Sequence, residues 1–165
     1  MSLPDAEALL AGLAEQMRPH VTPDTALVGL HTGGVWVAQR LHAQLGLTQP
    51  PGALDVSFYR DDYAQRGLAR DTRSSSLPFD VEGRHLVLVD DVLHTGRTVR
   101  AALNELFDYG RPQRVELAVL IDRGGRQLPV APTYCATRYM PPDGQRVKLA
   151  QEDDRLLLRL APDTE

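Results

Sequence analysis

Two kinds of apolar pattern alternate along the chain. Over residues 3–17, Leu3, Ala6, Leu9, Leu10, Leu13 and Met17 recur at helical spacing, which predicts an amphipathic helix with Ser2 as candidate N-cap and Pro4 near its first turn. Residues 25–30 (Thr-Ala-Leu-Val-Gly-Leu) form a nearly unbroken apolar run, the pattern of a strand covered on both faces. A Gly-rich turn, His31-Thr32-Gly33-Gly34, leads into a predicted helix over about 35–45, closed by Gly46. A turn at 49–52 precedes an alternating strand at 54–59. A second unbroken run, Leu86-Val87-Leu88-Val89, ends in the adjacent acids Asp90 and Asp91. A helix follows from Val99 to about Tyr109, with Gly110 and Pro112 as its stop. Residues 114–121 and 134–139 read as further strands, and 146–149 with 155–160 as a pair turning at Asp153-Asp154.

Strand and helix therefore alternate from residue 25 to residue 121. That order predicts an α/β fold with right-handed βαβ units and a twisted, mainly parallel sheet flanked by helices. Residues 60–78 break the pattern: they are polar and aperiodic, a segment suited to a lid or a β-hairpin arm.

Composition narrows the class. With 165 residues, 42% hydrophobic and 24% charged, the chain suits one ordinary globular domain over 1–165. Its single cysteine, Cys135, excludes a disulfide framework and fits a reducing compartment, where it reads as a small core residue. No apolar run approaches the ~18 residues that a membrane span requires. The first residues carry acids and no basic cluster, unlike a signal peptide, so a cytoplasmic location is expected. A net charge of -4 argues against a broadly basic nucleic-acid binder and leaves room only for a local basic face. No Cys/His cluster has zinc spacing.

The candidate chemistry gathers around residues 86–98. Acids at the carboxyl end of a buried strand stand where open α/β sheets bind ligands. Thr95, Gly96 and Thr98 bring backbone N–H groups and hydroxyls to a helix start, where the macrodipole favours an anion. Asp followed by Thr-Gly is also plain turn and capping chemistry, but the whole strand–acids–turn–helix string offers acids for sugar hydroxyls or a metal beside a phosphate cradle. The turn at 29–34 repeats the strand, Gly-rich turn, helix arrangement, a second anion site.

Val89-Asp90-Asp91-Val92-Leu93-His94-Thr95-Gly96-Arg97-Thr98 resembles the phosphoribosyl pyrophosphate (PRPP) motif of type I phosphoribosyltransferases. More narrowly it resembles the pyrimidine operon attenuator/uracil phosphoribosyltransferase family (PyrR), with His94 in place of that family's usual Tyr. The resemblance implies that Asp90 and Asp91 meet the ribose hydroxyls and that residues 94–98 wrap the 5-phosphate. It makes His31, Thr32, Gly33 and Gly34 the pyrophosphate loop, although His31 and Gly33 replace a Lys and an Arg. Tyr59-Arg60-Asp61-Asp62 resembles the opening of the family's flexible hood. Asp122-Arg123-Gly124-Gly125-Arg126-Gln127-Leu128-Pro129 resembles the segment bordering the base pocket, with Ile121, Asp122, Arg123 and Gly124 as candidate pocket residues.

The implied fold is the type I phosphoribosyltransferase fold, a mainly parallel sheet with a β-hairpin or flexible hood. The implied reaction is uracil plus PRPP to UMP and pyrophosphate. Mg²⁺ would enter with PRPP, held mainly by substrate oxygens, with Asp90 and Asp91 as candidate ligands. Family members assemble as dimers or larger homo-oligomers, and some bind pyrimidine operon leader RNA when UMP is present. Here the 3–17 helix carries Asp5, Glu7 and Glu15, so Arg146, Lys148, Arg155 and Arg159 are the candidates for a basic RNA-binding patch. An RNA-binding attenuator with little catalysis and a purine phosphoribosyltransferase are the alternatives. A Mg²⁺ phosphohydrolase or receiver domain would share the acid pair but has no use for the Thr-Gly-Arg-Thr cradle directly after it.

Overall fold

An aliphatic run without alternation is stable where both of its faces are covered. The computed structural model, which describes residues 2–56 and 75–163, supplies that setting. A five-stranded sheet has the order β2-β1-β3-β4-β5. Its strands are β1 (Ala26–Leu30), β2 (Gly52–Leu54), β3 (His85–Leu93), β4 (Arg114–Asp122) and β5 (Tyr134–Arg138), and all neighbours run parallel. Val87 and Val89 of β3 pack with helices α1 (Ala6–Met17) and α2 (Gly33–Leu45). Leu86 and Leu88 point the other way, into the core under helix α3 (Arg97–Leu106). Central strands buried on both faces account for the continuous runs.

An antiparallel pair, β6 (Gln145–Glu152) and β7 (Arg155–Pro162), joins the core on the α1 side through Val147, Leu149 and Leu156. Asp153 and Asp154 turn it with φ of 49° and 66°, the positive values that a tight hairpin needs at both central positions. Glu7 ties three elements together: it pairs with Arg40 of α2 and accepts the Leu156 backbone N–H at 2.8 Å. The Arg40 guanidinium holds the Glu7 carboxyl below the usual carboxylate range.

The topology fixes the location of a site. From β1 the chain moves outward to β2, then returns to lay β3 on the other flank of β1. This reversal opens a crevice beyond the carboxyl ends of β1 and β3, where ligands bind in open α/β sheets. At the opposite end of the sheet, polar contacts link Thr25, just before β1, with β3, β4 and β5. Thr25 meets His85 at 3.0 Å, His85 meets Glu116 at 2.7 Å, and the Tyr134 hydroxyl donates to Glu116 at 3.0 Å.

Several boundaries differ from the sequence reading. The first helix starts at Ala6, because the Asp5 carboxylate accepts the Glu7 N–H and so caps it; Ser2 lies outside the helix. Gly33 and Gly34 are already helical, since α2 begins at Gly33. The predicted strand at 54–59 lies earlier, at Gly52–Leu54, where Ala53 also bridges Ser76; residues 57–59 fall outside the described residues. Strand β3 continues through Asp90 and Asp91 to Leu93, because pairing with β4 persists to Asp122. Helix α3 begins at Arg97, two residues early, and gives way to turns after Leu106.

Candidate active site

Three chain segments meet at the crevice, from the ends of β1, β3 and β4. The first is the turn at 31–34. Its His31 N–H donates to Leu54 O at 3.0 Å, and the His31–Thr32 peptide bond is cis. Glycines let this turn seat directly on β3. A Cβ added at Gly34 would stand 2.3 Å from Val89 O, and one at Gly33 would stand 2.3 Å from Asp91 Oδ2. Gly29 makes the matching approach on β1, where an added Cβ would lie 2.6 Å from Val35 Cα. The pyrophosphate-loop candidates and the ribose-binding candidates are therefore in contact.

Asp90 and Asp91 are both half-buried at this junction. Each carboxylate accepts a backbone N–H from the residue after it, Asp91 N at 2.9 Å and Val92 N at 2.8 Å. These bonds fix the side chains before any ligand arrives. Beyond Leu93 the chain turns through Thr95 and Gly96, which caps α3 with a φ of 95°. Thr95 Oγ1 accepts the Arg97 N–H at 3.2 Å. The first N–H groups of a helix have no intrahelical acceptor, so this turn is suited to a phosphate.

The third segment, 122–130, is bound to the second. Arg123 N donates to Leu93 O at 3.0 Å, Gln127 N to Thr95 O at 2.9 Å, and Arg97 Nε to Gln127 Oε1 at 2.8 Å. Asp122 is buried and held by a two-point pair with Arg126 at 2.9 and 2.7 Å, while the Gly124 N–H donates to it at 2.9 Å. The Arg126 guanidinium keeps the Asp122 carboxyl below the usual carboxylate range. Asp122 thus builds the loop, holding Gly124 and Arg126 in place.

A cleft of about 580 Å³ opens beside this loop. Asp122, Arg123 and Gly124 line it, together with Gly125, Arg126 and Val130 of the same loop. Ile121 lies beneath it, fully buried in the core. Arg138, Tyr139 and Met140 complete the far wall, and the sequence reading did not single them out. Their position follows from the β4–β5 register, which sets Arg138 opposite Asp122. The hood candidates Tyr59, Arg60, Asp61 and Asp62 lie outside the described residues.

Among the described residues no group of three or more His, Cys, Asp or Glu side chains is arranged to hold a metal ion, and no helix is long and apolar enough to cross a membrane. Adjacent carboxylates at Asp90 and Asp91 are hard oxygen donors of the kind Mg²⁺ accepts beside a polyphosphate.

Comparison with known proteins agrees with this geometry. The family model described as the Phosphoribosyl transferase domain matches residues 2–140, leaving the β6–β7 hairpin beyond it. The chain is 51% identical over 153 residues to the bifunctional protein PyrR of Pseudomonas aeruginosa (strain LESB58), covering 90% of each. It is 52% identical over 153 residues to the protein of the same name from Pseudomonas entomophila (strain L48), covering 90% of this chain and 89% of that one. Among solved structures, a purine phosphoribosyltransferase from Pyrococcus horikoshii superposes with a TM-score of 0.61 at 27% identity, over 81% of this chain and 82% of that one. A hypoxanthine-guanine phosphoribosyltransferase from Bacillus anthracis reaches a TM-score of 0.68 at 16% identity over 84% and 83%, a likeness of fold. The chain belongs to the phosphoribosyl transferase domain family and, within it, to the PyrR proteins.

Proposed function

We propose that this phosphoribosyltransferase converts uracil and PRPP into UMP and pyrophosphate. One observation carries the reading: Asp90 and Asp91 stand at the sheet's switch point between two glycine-dependent turns, each fit for a phosphate group. PRPP has phosphate at both ends and a reactive carbon between them. Uracil is favoured over a purine by the 51% identity to PyrR proteins, against 27% to the purine enzyme from Pyrococcus horikoshii.

In this reading the turn at 94–98 holds the 5-phosphate by backbone N–H groups and the hydroxyls of Thr95 and Thr98. The turn at 31–34 holds the pyrophosphate, with backbone N–H groups in the role that Lys and Arg fill in the resembled motif. Asp90 and Asp91 orient the ribose hydroxyls, and their negative charge favours the positive charge that grows at C1 as the pyrophosphate leaves. Mg²⁺ carried on the substrate, with Asp90 and Asp91 as further ligands, would neutralise the leaving group. The cleft at 122–140 holds the base, its nitrogen facing C1. Holding both reactants in line supplies much of the acceleration, and no side-chain base is required.

A second activity is regulation of pyrimidine genes through leader RNA, favoured by the bifunctional character named for the Pseudomonas relatives. The hairpin offers the face for it. Lys148 and Arg159 are register partners, and Arg146 and Arg155 extend the same outward side, with Glu152 paired to Arg159. We assign the chain to the cytoplasm on its single free cysteine, and to a homo-oligomer of single domains on its family resemblance. Incubation of the chain with uracil, PRPP and Mg²⁺ tests the catalytic reading by the appearance of UMP and pyrophosphate, and a gel shift with leader RNA tests the second.

A further inference from the structure

We propose that the His94 side chain is a positioning residue for the base, fixing the floor of the 122–140 cleft, while only its backbone belongs to the phosphate turn. This rests on the assignment of that cleft to the base. The ring leaves the phosphate turn and reaches the neighbouring loop, where Nδ1 lies 2.9 Å from Gly124 O. A carbonyl oxygen only accepts, so Nδ1 carries the proton and donates. The ring also occupies the space that a side chain at Gly125 would need: a Cβ there would stand 2.6 Å from His94 Cε1 and 2.9 Å from Nδ1.

Apart from the Gly124 N–H bond to Asp122, the ring's contact is what holds the two glycines. Gly124 and Gly125 have φ of 75° and 76°, successive left-handed positions open only to residues with wide conformational freedom. Both line the cleft. The remaining ties between the loops fall to either side: Arg123 N to Leu93 O before the glycines, and Gln127 N to Thr95 O after them. Arg126 grips the His94 carbonyl at 2.9 Å, which anchors the backbone from which the ring projects. The Nδ1–Gly124 bond therefore orders the Gly-Gly peptide against which a planar base would lie. A single sequence gives no hint of this, because residues 94 and 125 are 31 positions apart and meet only across the β3–β4 ladder.

The test is a split in Michaelis constants. His94→Phe keeps a ring in the seat and removes the donor. It is expected to raise KM for uracil about three- to tenfold, the worth of one hydrogen bond, and to raise it by a larger factor than KM for PRPP. His94→Asn, whose amide nitrogen can take the Nδ1 position, recovers most of that loss. Gly125→Ala evicts the ring and adds the backbone strain of Ala at a φ of 76°, so it costs at least as much as His94→Phe, and in a His94→Ala background its effect shrinks by the share the ring carried. Parallel rises in both KM values, equal impairment in the Asn and Phe variants, or multiplying effects at 94 and 125 overturn the inference. Should His94→Phe fail to fold, the cycle between His94→Ala and Gly125→Ala still reads it, and loss of folding in all these variants would make His94 a stability residue and overturn it too. Absence of UMP from the wild-type reaction would overturn the uracil reading instead, so the two failures are distinguishable.

Discussion

Gly33 and Asp91 occupy one another's space: a side chain begun at Gly33 would meet the Asp91 carboxylate at 2.3 Å. The glycine at 33, where the resembled motif has an Arg, thus leaves room for the Asp91 carboxylate against the 31–34 turn.

Substitution at this junction should separate function from folding. Gly33→Ala pushes on a side-chain tip, so the protein should fold while kcat/KM for PRPP falls about ten- to a hundredfold through a displaced Asp91. Gly34→Ala pushes on Val89 O, a backbone atom of the central strand that has no room to give, and should lower the melting temperature as well. Steady-state kinetics beside thermal unfolding will show the contrast. Equal melting temperatures for the two variants would count against it.

Removing charge from the acids tests their electrostatic role. Asp91→Asn and Asp90→Asn keep the size of the side chain and an acceptor oxygen for the neighbouring N–H. Each should lower kcat by about a hundredfold or more, the order expected when a preorganised charge is taken from a transition state. Full activity in Asp91→Asn would remove Asp91 from the mechanism.

Acid stability should trace to two carboxylates. The folded pKa values of Asp122 and Glu7 lie below their ordinary values, through Arg126 and Arg40 respectively. The folded state therefore binds their protons less readily than the unfolded chain does. Their stabilisation is present at neutral pH and is lost as pH falls from the ordinary carboxylate range through the lowered values. Arg126→Met should cost about 3 kcal/mol at pH 7, since it strands a buried carboxylate, and should flatten the acid limb of the stability curve.

At the other limit, burial and then Glu116 push the Tyr134 hydroxyl up to about 12. A raised folded pKa means that stability is intact below the ordinary tyrosine value of about 10 and falls as pH rises from there towards 12. Tyr134→Phe should remove this alkaline loss, measured by denaturant unfolding across pH 9 to 12.

The hairpin face predicts salt-dependent RNA binding. Replacing Lys148 and Arg159 together by Glu should weaken the leader RNA complex and reduce the slope of log K against log salt by about two, one unit for each phosphate left without its cation. An unchanged slope would locate the RNA elsewhere.

Much of this architecture was legible in the chain because its signals are local. Unbroken aliphatic runs at 25–30 and 86–89 marked central strands, and the acid-turn-helix string at 90–98 marked the strand end, turn and helix start found there. Boundaries set by tertiary pairing were not legible: β3 runs on through Asp90 and Asp91 because β4 lies beside it, and β2 sits at Gly52–Leu54 because it pairs there with Val28, Gly29 and Leu30 of β1. The far wall of the cleft was hidden for the same reason. Arg138, Tyr139 and Met140 come from a strand whose register, not its residue pattern, brings them opposite Asp122. The His94–Gly125 fit depends on the space around a missing Cβ, which no spacing rule encodes.

A base panel tests the uracil phosphoribosyltransferase reading most directly. Uracil, hypoxanthine, guanine, xanthine and orotate are each supplied with PRPP and Mg²⁺, and pyrophosphate release is followed alongside nucleotide formation. Uracil should give UMP and pyrophosphate in equal amounts, with little turnover of the other bases. Turnover of a purine in preference to uracil, or no turnover of any base, would contradict that reading.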